Sequence, residues 1–87
     1  MALHGYVSGR VQGVSFRAFV AARAAENHVD GWARNLPDGR VEVLLCGAAA
    51  DVRAVATALQ RGPPLAKVSA VALTETIPGA GSGFTIG

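Results

Sequence analysis

The spacing of apolar residues alternates between a period of two and a period near 3.6 in one fixed order, and that order limits the folds open to the chain more than any other feature does. In "ALHGYVSG", Leu3, Gly5 and Val7 alternate with His4, Tyr6 and Ser8, the pattern of a strand with one face turned inward. From Phe16 the period changes. Phe16, Phe19, Val20 and Ala24 fall at helical spacing with Arg17 and Arg23 between them, and the alanine-rich filling predicts a helix to about Asn27. "DGWARN" and "RVEVLLC", joined by the turn signal "NLPDG", read as a hairpin in which Val41, Val43 and Leu45 alternate with Glu42, Leu44 and Cys46. "AAADVRAVATALQRG" then places Val52, Val55, Ala56 and Leu59 on one stripe and stops at Gly62 ahead of two prolines. "KVSAVALTET" supplies a fourth strand and "GFTI" a short terminal piece.

The order βαββαβ predicts an α+β fold, the ferredoxin-like sandwich, with two helices packed on one face of an antiparallel sheet. With 87 residues, a single domain over 1–87 is expected, large enough for one core. A right-handed crossover makes strands one and two run the same way with strand three between them, so their C-terminal ends share an edge. Residues 9 to 16 and the end of strand two, near Arg34 and Asn35, are therefore expected to be neighbours.

Composition and spacing exclude most other chemistries. A net charge of +2 from eight scattered basic residues favours anionic partners without forming the basic run of a nucleic-acid binder. Cys46 is the one cysteine, so no internal disulfide is expected. "MALHGYVSG" has no charged and apolar leader pattern, and no apolar stretch is long enough for a bilayer. A cytoplasmic protein with no membrane association is expected. His4, His28 and Cys46 lack metal-ligand spacing, and neither G-x-x-x-x-G-K-[ST] nor G-x-G-x-x-G occurs, so neither a metal nor a nucleotide cofactor is expected.

What remains is the connection Gly9-Arg10-Val11-Gln12-Gly13-Val14-Ser15-Phe16-Arg17. Gly9 and Gly13 allow positive φ angles, so successive amides can converge on an anion ahead of the helix, and Arg17 in the first helical turn can close a two-pronged fork over a phosphate. The same residues also suit a tight strand-to-helix connection beside a solvated arginine. Ser15 reads as a helix N-cap with its hydroxyl on the backbone, and Asn35, beside "LPDG", as a turn residue bonding its own backbone. Gln12, Arg10 and Arg34 read as exposed, Phe16, Phe19 and Trp32 as core or core edge, and Cys46 as a small buried hydrophobe. Neither histidine has a partner in the sequence pattern.

"GRVQGVSFR", "GWARNLPDGRVEV", "QRGPP" and "SGFTI" together resemble the acylphosphatase family over almost the whole chain. The resemblance implies hydrolysis of small acyl phosphates to a carboxylate and inorganic phosphate without metal or cofactor. It implies that Arg17 binds the phosphate, that Asn35 orients the attacking water, and that the backbone of Gln12, Gly13, Val14, Ser15 and Phe16 forms the phosphate cradle. Ser15 stands where relatives generally carry a small residue, which keeps close backbone approach open. The same βαββαβ order also serves RNA-recognition modules, which stack bases on aromatics of the central strands. Here strand three has no aromatic and strand one only Tyr6, so no nucleic-acid partner is expected. Related domains that handle carbamoyl phosphate occur attached to larger maturation enzymes; this chain reads as freestanding and monomeric.

Overall fold

The computed structural model describes residues 1–79 and 81–87. Its elements are β1 (Ala2–Arg10), α1 (Phe16–Glu26), β2 (Asp30–Asn35), β3 (Val41–Cys46), α2 (Ala49–Leu59), β4 (Lys67–Glu75) and β5 (Phe84–Ile86). The sheet order is β4-β1-β3-β2-β5. β3 runs antiparallel to both β1 and β2, which therefore point the same way and end at the same edge. The fold is ferredoxin-like. The terminal "GFTI" stretch adds a fifth strand that lies parallel to β2, pairing Gly31 with Phe84 and Ala33 with Ile86, so the sheet as a whole is mixed.

One face of the sheet carries the core. Val7, Ala33, Val41, Val43 and Leu45 meet Phe16, Val20 and Ala24 of α1 and Val52, Val55 and Leu59 of α2 in a single buried cluster. Of the helical stripes read from the sequence, Phe16, Val20, Ala24, Val52, Val55 and Leu59 are buried, and Phe19 and Ala56 are half-buried at the edge of the same cluster.

β3 departs from simple alternation because all six of its residues are buried. As the central strand it is covered on the second face as well, where Ala2, Leu44 and Cys46 pack beneath Trp32. Glu42, only 7% exposed, lies on that face opposite Tyr6 and Arg34. Its carboxylate accepts hydrogen bonds from Arg34 Nε at 2.7 Å and from His4 Nε2 at 2.6 Å. His4 thus has a partner that the sequence pattern concealed, because the two residues meet only across the β1–β3 pairing. The Arg40 guanidinium sits 4.3 Å over the Tyr6 ring and that of Arg34 sits 4.9 Å over Trp32.

Burial works against ionisation of Glu42, but the hydrogen bonds from His4 and Arg34 and their charges outweigh it, and the carboxyl is held below its ordinary value of 4.5. A carboxyl with a depressed folded value contributes its full stabilisation above the unfolded value and loses it as the pH falls through the folded one. Glu42→Gln is therefore expected to be less stable than the wild type near neutral pH, and to lose less further stability on acidification below pH ~4.5. Denaturant midpoints across that range check this; parallel wild-type and variant curves would contradict it.

Candidate active site

β1 hands over to α1 through residues 11 to 15, and two valines anchor that loop. Val11 and Val14 are buried, at 1% and 6% exposure, whereas Gly13 and Ser15 are exposed. Gly13 has φ +73° and Ser15 φ +61°, with Val14 between them, so the backbone alternates in hand. Alternation of this kind points successive amides toward one concavity and makes an anion-binding nest. A Cβ on Gly13 would meet nothing within 4 Å, so glycine serves the backbone angle there and not a crowded space.

Ser15 occupies the N-cap position of α1 but its hydroxyl makes no capping hydrogen bond. This corrects the expectation from sequence: a capping side chain needs extended backbone, and Ser15 is left-handed at φ 61°, ψ 29°. The helix start is left open. Among the described residues, the first amide from Gln12 onward to find a backbone carbonyl is that of Phe19, which donates to Ser15 at 3.0 Å. The amides of Gln12 to Phe16 lie ahead of it, at the positive end of the helix dipole.

Arg17, in the first turn of α1, donates from Nη1 to the Gly87 carbonyl. Gly87 is itself held by its amide on the Ala33 carbonyl at 2.9 Å, so β5 braces the guanidinium from the β2 side. The remaining N–H groups of the fork stay available to an anion.

Asn35 is the last residue of β2, opposite Val41 and exposed. The turn behind it closes through Leu36 N–H to the Arg40 carbonyl at 2.8 Å, Gly39 N–H to the Leu36 carbonyl at 3.1 Å, and Arg40 N–H to the Asp38 carboxylate at 3.1 Å. That backbone bond, with a second from the Arg40 side chain, also lowers the Asp38 pKa. The turn is built without the Asn35 amide, which weakens the reading of Asn35 as a turn residue.

A cleft of about 380 Å³ collects Gly13, Ser15, Phe16, Arg17 and Asn35 from the residues read in the sequence. Gln12 and Val14 do not line it with their side chains. Val14 points into the core, and the Gln12 amide donates to the carbonyls of Leu36 at 2.8 Å and Arg40 at 3.0 Å. Their contribution to an anion site is limited to backbone amides. Sequence reasoning missed Val11, Ala18 and Ile86, which complete the lining. Ile86 arrives through the β2–β5 pairing, a contact with no local signal. Among the described residues, no three His, Cys, Asp or Glu side chains converge.

The acylphosphatase family model matches residues 3–86. The chain belongs to the acylphosphatase family. It is 49% identical over 73 residues to the acylphosphatase of Methylococcus capsulatus, covering 84% of this chain and 79% of that relative. It is 48% identical over 85 residues to the acylphosphatase of Pseudomonas paraeruginosa, covering 97% of this chain and 92% of that one. The structure of an acylphosphatase from Coxiella burnetii superposes with a TM-score of 0.93 at 39% identity, over 98% of this chain and 90% of that chain. Among acylphosphatase-family chains this one thus matches along both helices and the whole sheet, and the cleft lies within the matched region.

If the nest and Arg17 together hold an anion, inorganic phosphate is expected to raise the melting temperature relative to chloride at equal ionic strength. At a hundredfold excess over its Kd, a bound anion stabilises by about 2.7 kcal/mol. Arg17→Lys keeps the charge but loses the planar fork, so its phosphate-dependent shift is expected to be much smaller. Equal shifts in the two proteins, read by calorimetry, would return Arg17 to the surface.

Proposed function

We propose that the protein hydrolyses small acyl phosphates to a carboxylate and inorganic phosphate, with Arg17 and the amides of Gln12 to Phe16 binding the phosphoryl group and Asn35 orienting the water. The observation that carries this reading is the cleft itself, which gathers a loop and helix start whose amides lack carbonyl partners, the Arg17 side chain, and Asn35, whose carboxamide its own turn does not use. Backbone donors and an arginine fork neutralise charge on the equatorial phosphoryl oxygens, where phosphoryl transfer needs it. The Asn35 carboxamide can hold a water by one polar atom in line with the bond that breaks.

In the step, the water oxygen forms a bond to phosphorus as the bond from phosphorus to the acyl oxygen breaks, and the carboxylate departs with the electron pair. A carboxylate is a good leaving group, so no strong general acid is required beside it. The water's proton passes to a phosphoryl oxygen of the substrate, which accounts for a cleft lined by no histidine or carboxylate. Positioning and electrostatics carry the catalysis.

The same reading takes the protein as a monomer of the cytoplasm, needing neither metal nor cofactor. Cys46 is a buried free thiol. Among the described residues no helix is long and apolar enough to cross a membrane. Against the RNA-binding alternative, the rings of Tyr6 and Trp32 each already carry an arginine of this chain on one side.

Phosphate release from benzoyl or acetyl phosphate in the presence of a chelator is the direct assay, and its absence on both substrates would overturn the reading. Asn35→Ala is expected to lower turnover roughly a hundred- to thousandfold while leaving inhibition by phosphate nearly unchanged. Arg17→Ala is expected to damage both. A fully folded Asn35→Ala protein with normal turnover would remove Asn35 from the mechanism.

A further inference from the structure

We infer that the side chain of Gln12, whose backbone amide belongs to the cradle, is a positioning group that sets the distance between the phosphate cradle and Asn35, acting through the hairpin neck and not by touching substrate. The proposal rests on the reading of Asn35 given above and adds to it a residue whose side chain lies outside the cleft lining.

The geometry is that of a two-pronged clamp. The Gln12 side-chain nitrogen has two protons, and both are used: it donates to the Leu36 carbonyl at 2.8 Å and to the Arg40 carbonyl at 3.0 Å. Leu36 and Arg40 form the neck of the β2–β3 hairpin, immediately beyond the last ladder pair, Asn35 with Val41. Each already accepts one backbone bond, from Gly39 to Leu36 and from Leu36 to Arg40, so the Gln12 amide occupies the second lone pair of each. No other side chain makes a hydrogen bond from residues 11 to 16 to the hairpin among the described residues. Leu36 follows Asn35 directly, and Gly13 follows Gln12 directly. One side chain therefore couples the first residue of the cradle to the residue beside the water site.

The coupling addresses a specific weakness of the fold. β1 and β2 are not neighbours; β3 lies between them. The loop after β1 and the turn after β2 extend past the end of the sheet, where no ladder bond fixes their spacing. A water held by Asn35 must be in line with a phosphoryl group held by the loop, and displacement by about 1 Å can cost on the order of a hundredfold in rate. A glutamine reaching the hairpin neck supplies the fixed spacing that the sheet does not.

The test is a double-mutant cycle on the full chain with kcat, KM and phosphate inhibition read on every member. Gln12→Met keeps the length and apolar stem while removing both donors. It is expected to lower kcat about ten- to a hundredfold, with KM and phosphate inhibition within about twofold of wild type. In the Asn35→Ala background the same substitution is expected to change kcat by less than about twofold, because the group it positions is gone. Gln12→Asn, which keeps the donors but withdraws them by one methylene, serves as the second variant and is expected to lose kcat in the same background-dependent way, even where Gln12→Met fails to fold. Wild-type kcat in a folded Gln12 variant, an equal loss in both backgrounds, or a loss that appears in phosphate inhibition would overturn the proposal. If Asn35→Ala itself turns over normally, the reading beneath the proposal falls and the proposal with it, an outcome distinguishable from failure of the clamp alone.

Discussion

The placement of β3 between β1 and β2, antiparallel to each, is the constraint on which the site depends. It makes two strands that are distant in sequence run in one direction and end at one edge, so the loop that starts α1 and the turn that starts β3 face each other. A sheet of simple meander order would send those ends to opposite edges. Burial of all six β3 residues is the energetic counterpart of that position, since the strand is packed by the helices on one side and by Trp32, Tyr6 and His4 on the other. The Glu42 carboxylate, clasped by Arg34 of β2 and His4 of β1, ties both neighbours to β3 on the face away from the helices.

Most of the site is then made from backbone. A helix whose N-cap hydroxyl fails to cap is usually a weakness, worth roughly 1 kcal/mol. Here Ser15 and Gly13 are both left-handed and the amides of Gln12 to Phe16 are left without carbonyl partners among the described residues, the arrangement that the proposed phosphate cradle uses. Arg17 is set by the carbonyl of Gly87, which β5 delivers, and Asn35 by the end of the β2–β3 ladder. The acyl phosphate brings its own good leaving group, which is why so small a set of side chains suffices in the proposed reaction.

The strand and helix boundaries and the shared edge were legible because they follow from local period and from one topological rule. "DGWARN" is β2 residue for residue, and the stripe Val52, Val55, Leu59 is the buried face of α2. Residues 12 to 17 and Asn35 could be read as a neighbourhood for the same reason. The failures share a cause: each needed a contact across strands or a backbone angle at a non-glycine residue. The His4–Glu42 pair, the β5 strand that brings in Ile86, and the reach of Gln12 to Leu36 and Arg40 all join residues far apart in sequence. The Ser15 cap was misread because serine in that position normally has extended backbone, and nothing in the residue itself announces φ 61°.

Titration of the isotope-labelled protein with inorganic phosphate, followed by amide-resolved NMR, tests the central claim most directly. The account predicts that the backbone amides of Gln12 to Phe16 move together and saturably, with the Arg17 side-chain signals following the same binding curve. Shifts confined to other basic residues, or none in that stretch at saturating phosphate, would mean that the turn is only a connection and would contradict the account.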